Sequence, residues 1–397
     1  MRNYQEVLNI IENSRRFENR PGVEIAGIML EKLGNPQQGM RFIHVAGTNG
    51  KGSTCAFLNS ILTQAGMKVG VFTSPHLIDF EERIAIGSRR ISREDVVRLG
   101  NMLLNTDFGV TPTMFDYCMA MAVIYFREQQ CDIAIMETGL GGRLDSTNAI
   151  GIPEVSVITK IGFDHTAFLG NTLREIASEK AGILKPGTYA VIESQEKEAE
   201  QLFRKVLEDK AIQHSFVTQE DIDYVSKLGI NMAGVHQWEN GAAAMLASRH
   251  ILGESQNVEK GLRTAVWGGR MEQLSEHPLV IVDGAHNSNG VTALRDSLVQ
   301  MYPGEKFHFY MGVMADKDYE EMVELLLPLA KDFVTVTPES DRALQAEELA
   351  TCIRARGVKA YGVNSVEEAI SKFSREGINL VFGSLYFIGE MKAKYDK

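Results

Sequence analysis

The chain has 397 residues, 44% hydrophobic and 23% charged, with a net charge of −11; this size and balance suit a globular protein with room for two domains. The acidic surplus contains no Lys/Arg-rich block, which argues against a binder of phosphate backbones, so nucleic acid is not an expected partner. No apolar run reaches the ~20 residues of a membrane helix, the start MRNYQEVLNIIENSRR is a helical pattern rather than a signal peptide, and the four cysteines form no CxxC pair, so the expected setting is a reducing cytoplasm, away from membranes.

In chain order, apolar β-rich runs alternate with helical patterns. This predicts an α/β fold with mostly parallel sheets covered on both faces. Strands are expected at 42–47, 68–73, 132–138, 155–162 and 188–194, in a first domain over residues 1–265. A second, smaller Rossmann-like α/β domain is expected over 266–397, with strands at 279–286, 306–313, 332–339, 359–363 and 379–384. The boundary falls in RTAVWGGRME (263–272), and the cleft between the domains is the expected ligand site.

The first strand runs into HVAGTNGKGST (44–54), and a helical pattern follows. Gly47, Gly50 and Gly52 let backbone approach a phosphate, with Thr48 and Asn49 between them. Lys51 supplies positive charge, and Ser53 and Thr54 can cap the helix or face a metal ion. The spelling departs from the common phosphate loop, because Gly52 separates the lysine from the hydroxyl residues. The alternative is a plain strand–helix turn with an exposed lysine.

Glu137 ends the strand DIAIM and precedes GLGG, which puts a carboxylate on the ligand side of a parallel sheet. Asp164 and His165 follow the next strand in the same way. A carboxylate and an imidazole beside phosphates point to Mg²⁺, or else His165 simply caps the turn after it. On residue type alone, Lys180 in SEKAGILKPG is a surface helix lysine paired with a neighbouring glutamate, and Asn240 in HQWENGAAAML is a helix-surface amide. Arg270 in WGGRME and Asp283 in VDGAH bring a planar cation and a strand-end carboxylate from the second domain, with His286 and Asn287 on the same loop.

These motifs together resemble the folylpolyglutamate synthase and dihydrofolate synthase family, relatives of the Mur ligases. GTNGKGS looks like that family's phosphate loop, in which the extra glycine is a signature. The likeness continues through TSPHL (73–77), ERIAI (82–86), ETGLGGRLDSTN (137–148), LGNTLREIASEKAGILKPG (169–187), WGGRME (267–272), DGAHN (283–287), DRALQAEEL (341–349) and GSLYFIGE (383–390), over nearly the whole chain. The resemblance implies a phosphate-loop Mur-ligase-like domain followed by a glutamate-ligase domain. It implies ATP and Mg²⁺ as cofactors, with Ser53, Ser74, Glu137 and His165 as metal ligands and Lys180 carrying a carbamate that adds another anionic oxygen. Asn240, Arg270 and Asp283 become nucleotide contacts. Phe115, Asp116, Arg143 and Asp145 become contacts to the folate, and His286 lies near the amino-acid pocket. Two departures fall on the pterin side. Asp116 stands where the family usually has glutamate, and Val23-Glu24-Ile25 stand where it often has Leu-Glu-Arg.

The implied reaction joins L-glutamate to the γ-carboxylate of a folate. ATP phosphorylates the carboxylate and the glutamate amine displaces phosphate, in a monomeric enzyme. Tetrahydrofolate or dihydropteroate is the implied acceptor. The nearest alternative is another amino-acid ligase of the Mur superfamily. A guanine-nucleotide switch would carry an Asn-Lys-x-Asp string, and a Rossmann dehydrogenase a Gly-x-Gly-x-x-Gly turn; neither is present.

Overall fold

A computed structural model describes residues 2–14 and 21–395. Met1, Arg15, Arg16 and Arg20 lie outside the described residues. The chain divides into two compact units, one of Met1–Asn231 with Glu239–Ala265, the other of Met232–Trp238 with Val266–Lys397.

In the first unit, β1 (Phe42–Ala46), β2 (Val69–Phe72), β3 (Ile84–Ile86), β4 (Arg89–Arg90), β5 (Ile133–Glu137), β6 (Val155–Ile158), β7 (Tyr189–Ile192) and β8 (His214–Phe216) form one sheet. Its order is β4-β3-β2-β5-β1-β6-β7-β8. From β2 to β8 neighbouring strands run parallel, and β3 turns antiparallel at one edge. β1 and β5 are buried at every position, as strands covered on both faces must be. On one side a core gathers Phe42, Phe72, Phe126 and Met136 with helix Met114–Glu128. On the other, Ile158, Ile192 and Phe203 pack with helices Leu173–Lys180 and Lys197–Asp209. Every parallel strand presents its C-terminal end to the same edge, the edge at which such sheets bind ligands.

In the second unit, β9 (Glu272–Glu276), β10 (Leu279–Val282), β11 (Phe307–Met311), β12 (Ala330–Val336), β13 (Ala360–Val363) and β14 (Ile378–Phe382) lie in the order β13-β12-β11-β14-β10-β9. All neighbours are parallel except β9, which pairs antiparallel with β10. Phe307, Phe309, Phe333 and Phe382 fill its core.

β3, β4, β8 and β9 are additions to the strands expected from sequence. β4, β8 and β9 are short or polar edge strands, and β3, three residues long, lies next to one, so none leaves an apolar run long enough to read.

Candidate active site

The glycine-rich loop joins β1 to helix Lys51–Gln64, and two of its glycines are required by shape. A Cβ on Gly47 would sit 1.7 Å from Thr159 Oγ1. Gly50 caps the helix at φ 87°, and a Cβ there would meet Asn240 Oδ1 at 2.2 Å. The first intrahelical bond runs from Thr54 N to Gly50 O, so the amides ahead of it are not used within the helix and lie at its positive end. Thr48 N and Asn49 N both donate to Lys160 O, at 2.9 and 3.2 Å. Thr159 Oγ1 donates to Asn49 O at 2.6 Å, and Thr48 Oγ1 pairs with Gly162. Ser53 is buried in the first helical turn.

Two lysines converge on one carbonyl of this loop. Lys51 Nζ donates to Gly47 O at 3.1 Å and to Thr48 O at 3.2 Å, and Lys180 Nζ donates to Gly47 O at 2.8 Å. Lys180 is 4% exposed, which settles the open reading of a surface lysine against the surface. The neighbouring Glu179 is engaged by Arg143 at 2.7 Å. Burial first, and then the charge of Lys51, push the Lys180 amine down to about 7, against the pull of Asp164 and Asp145. A larger share of it is therefore the neutral, nucleophilic amine near neutral pH than for an ordinary lysine.

Glu137 ends β5 and is 3% exposed; it accepts a bond from Ser74 N at 3.0 Å. His165 caps helix Thr166–Leu169 at φ 52°, its N–H donating to Asp164 Oδ1 at 2.8 Å and its ring remaining partly exposed. Among the described residues no three His, Cys, Asp or Glu side chains gather closely enough to hold a metal by themselves. One buried carboxylate beside hydroxyls and a helix N-terminus suits a hard cation whose remaining ligands are phosphate oxygens and water.

The segment after β5 is organised from within. Asp145 accepts bonds from Gly139 N, Leu140 N, Thr147 N and Thr147 Oγ1, at 3.0, 2.9, 2.9 and 2.5 Å. Thr147 Oγ1 in turn lies 2.7 Å from Nε2 of the fully buried His44. Asp116 is wholly buried and accepts from Thr113 N, Thr113 Oγ1 and Ser146 Oγ, closing a capping box on helix Met114–Glu128. Desolvation holds the carboxyls of Asp116 and Asp145 above their ordinary range despite these bonds. Phe115 packs its ring against Gly139, where a Cβ would meet it at 2.7 Å.

In the second unit, Arg270 Nη1 donates to Gly269 O at 3.0 Å and lies where a Gly284 Cβ would come within 1.9 Å. Asp283 directly follows β10 and accepts from Met271 N and Ala285 N, both at 2.9 Å. His286 Nδ1 donates to Gly284 O at 2.8 Å, which fixes the proton on that nitrogen. Arg270, Asp283 and His286 thus share the loop around Gly284.

Residues 45–248 match the Mur ligase middle domain, and residues 269–385 match the Mur ligase glutamate ligase domain. The dihydrofolate synthase/folylpolyglutamate synthase of Bacillus subtilis is 35% identical, over 98% of this chain and 99% of its own. The chain belongs to the folylpolyglutamate synthase and dihydrofolate synthase family. The folylpolyglutamate synthase of Lacticaseibacillus casei is 33% identical over 86% of this chain and 87% of its own. The Mycobacterium tuberculosis folylpolyglutamate synthase complexed with ADP superposes with a TM-score of 0.91 at 26% identity, over 99% of this chain and 98% of its own. Escherichia coli FolC in complex with DHPP and ADP gives 0.87 at 28% identity, over 100% and 98%.

Within this family fold, the sequence-predicted residues Gly47 to Ser53, Lys180 and Asn240 gather at the β1 end, and Ser74 meets Glu137 beside them. Arg143 points to Glu179. Sequence reasoning missed the His44–Thr147–Asp145 relay and the turn after β7. A lone histidine inside FIHVA, otherwise apolar, was the available signal for the first.

Proposed function

We propose that this chain is an ATP-dependent ligase that adds L-glutamate to the γ-carboxylate of a folate through an acyl phosphate. The observation that carries the reading is the pair of lysines on the Gly47 carbonyl of a glycine-rich loop, in a chain matched end to end by folylpolyglutamate synthases. Tetrahydrofolate is the acceptor in this reading. Dihydropteroate is a second acceptor, supported by the bifunctional name of the Bacillus subtilis relative.

Amides of Gly50 to Ser53 hold the phosphates at the helix N-terminus, with Gly47, Thr48 and Asn49 shaping the loop. Lys51 exchanges the Gly47 and Thr48 carbonyls for phosphate oxygens, and Asn240, Arg270 and Asp283 complete the nucleotide contacts. Ser53, Ser74, Glu137 and His165 would hold Mg²⁺, which neutralises phosphate charge when bound. In its neutral form the Lys180 amine is suited to add to CO₂ and lose a proton, giving a carbamate that would be the further anionic ligand. Phe115 and Arg143 face the folate. Asp116 and Asp145 set the pterin side through the segments they tie together, and His286 serves the incoming amino acid. The carboxylate oxygen attacks the γ-phosphorus and ADP leaves; the glutamate nitrogen then attacks the acyl carbon and phosphate leaves. The reading includes a cytoplasmic monomer. Among the described residues no helix is long and apolar enough to cross a membrane.

The test is a mass-resolved product assay with MgATP and L-glutamate, offering tetrahydrofolate and dihydropteroate separately. The expected result is one added glutamyl residue per ADP formed. ADP release that ignores glutamate, or product only with a muropeptide nucleotide, contradicts the reading.

A further inference from the structure

Parallel strands end where their ladder ends, and the backbone groups beyond the last rung need other partners. β6 and β7 keep their register to Ile158 and Ile192, and Glu193 N still reaches Ile158 O at 2.9 Å. Past that rung, side chains continue the ladder. Lys160 N donates to Glu193 Oε2 at 2.7 Å, and Ile161 N to Gln195 Oε1 at 2.9 Å. Gln195 Nε2 donates back to Thr159 O at 3.1 Å, and Lys160 Nζ to Ser194 O at 2.9 Å.

The segment held in this way, Thr159 to Gly162, is the one from which the glycine-rich loop hangs. Lys160 O accepts from the amides of Thr48 and Asn49, Thr159 Oγ1 donates to Asn49 O, and Thr48 Oγ1 donates to Gly162 O. On its other side the turn grips the helix that carries Asn240: Ser194 N donates to Glu239 Oε1 at 2.8 Å, and Ser194 Oγ donates to the same oxygen. Asn240 follows directly, with its Oδ1 over Gly50. Loop, β6 tail, turn and helix start are therefore linked by a chain of hydrogen bonds that ends with the Asn240 side chain packed over Gly50. Because Thr48 N and Asn49 N are fixed on Lys160 O, this chain bears on which amides face outward and where Asn240 stands relative to them.

We propose that the turn Glu193–Gln195 is a positioning element for nucleotide binding, acting through Gln195 on the glycine-rich loop and through Ser194 on Asn240. The inference rests on the reading that this loop holds the phosphates of ATP. Glu193 is the buried anchor, 1% exposed, with Oε1 lacking a hydrogen-bond partner. Gln195 is only half-buried and can be altered without opening the core.

The decisive comparison is titration of wild type, Gln195→Ala and Ser194→Ala with Mg²⁺ and AMPPCP by calorimetry, beside steady-state kinetics and thermal unfolding. Gln195→Ala should weaken AMPPCP binding and raise KM for ATP about tenfold, and Ser194→Ala about threefold. KM for the folate and for glutamate should stay unchanged in both, and the unfolding temperature should move little. Gln195→Glu, which sets a carboxylate against Thr159 O, should be no better than Gln195→Ala. Wild-type affinity in the variants overturns the inference. So does a parallel rise of all three KM values with a lowered unfolding temperature, which marks a purely structural turn. If wild type itself fails to bind AMPPCP, the reading of the loop falls, and the inference with it.

Discussion

His44 sits in the middle of β1 with no exposure, and its Nε2 reaches Thr147, which reaches Asp145, which holds the amides of Gly139 and Leu140. With Asp145 as final acceptor, each hydroxyl or ring N–H donates forward along the chain, and His44 is neutral. Burial, with Lys185 nearby, depresses its pKa from the ordinary value to about 3. The sign follows: between pH 6.5 and 3 the unfolded chain binds a proton that the folded chain refuses, so folding stability is lost as pH falls through that window. His44 should account for about 1.4 kcal/mol per pH unit of that loss. His44→Gln retains a donor toward Thr147 and cannot titrate. Urea unfolding at several pH values between 6.5 and 4 should therefore give a shallower slope for the variant than for wild type; parallel slopes would contradict the assignment. At this scale the sequence was legible where unusual residue types stand close together, as in the glycine-rich turn at 47–53, which joins β1 to a helix as expected. It was not legible where burial decides the role. Lys180 reads as a surface lysine because a single helical position carries no mark of its depth. Asp116 reads as a ligand contact only through the resemblance, while its part in the capping box at the helix start is also there to read in the spelling Thr113-x-x-Asp116.

The glycine-rich loop works as an element because backbone conformation and neighbours agree. At Gly50 a side chain meets two obstacles at once, a left-handed φ of 87° and the Asn240 amide. Gly50→Ala should lower stability by about 1–2 kcal/mol. It should raise KM for ATP much more than KM for folate, because displacing Asn240 or the loop alters the nucleotide side alone; denaturant unfolding and steady-state kinetics check both. Equal effects on all substrates would mean that the strain spreads beyond the loop. The parallel strands could be read in advance from continuous Val/Ile runs such as IAIM in β5. The edge strands could not: the alternation in EQLSE of β9 carries too little apolar content to distinguish a strand from a loop.

At the scale of the molecule, the two units place their candidate functional residues alike, at or just past the C-terminal ends of parallel strands: Gly47–Gly50 after β1, Glu137 at the end of β5, Asp283 after β10. The resemblance carried by motifs spread over the whole chain agrees with relatives that match it over 98% of its length. The proposed chemistry asks this scaffold to turn a carboxylate into an acyl phosphate before glutamate attacks. The most direct measurement uses a folate labelled with ¹⁸O in its γ-carboxylate, with MgATP and L-glutamate. The phosphate released should carry one oxygen from that carboxylate, and its release should depend on both folate and glutamate. Unlabelled phosphate accompanying glutamylated product would contradict it.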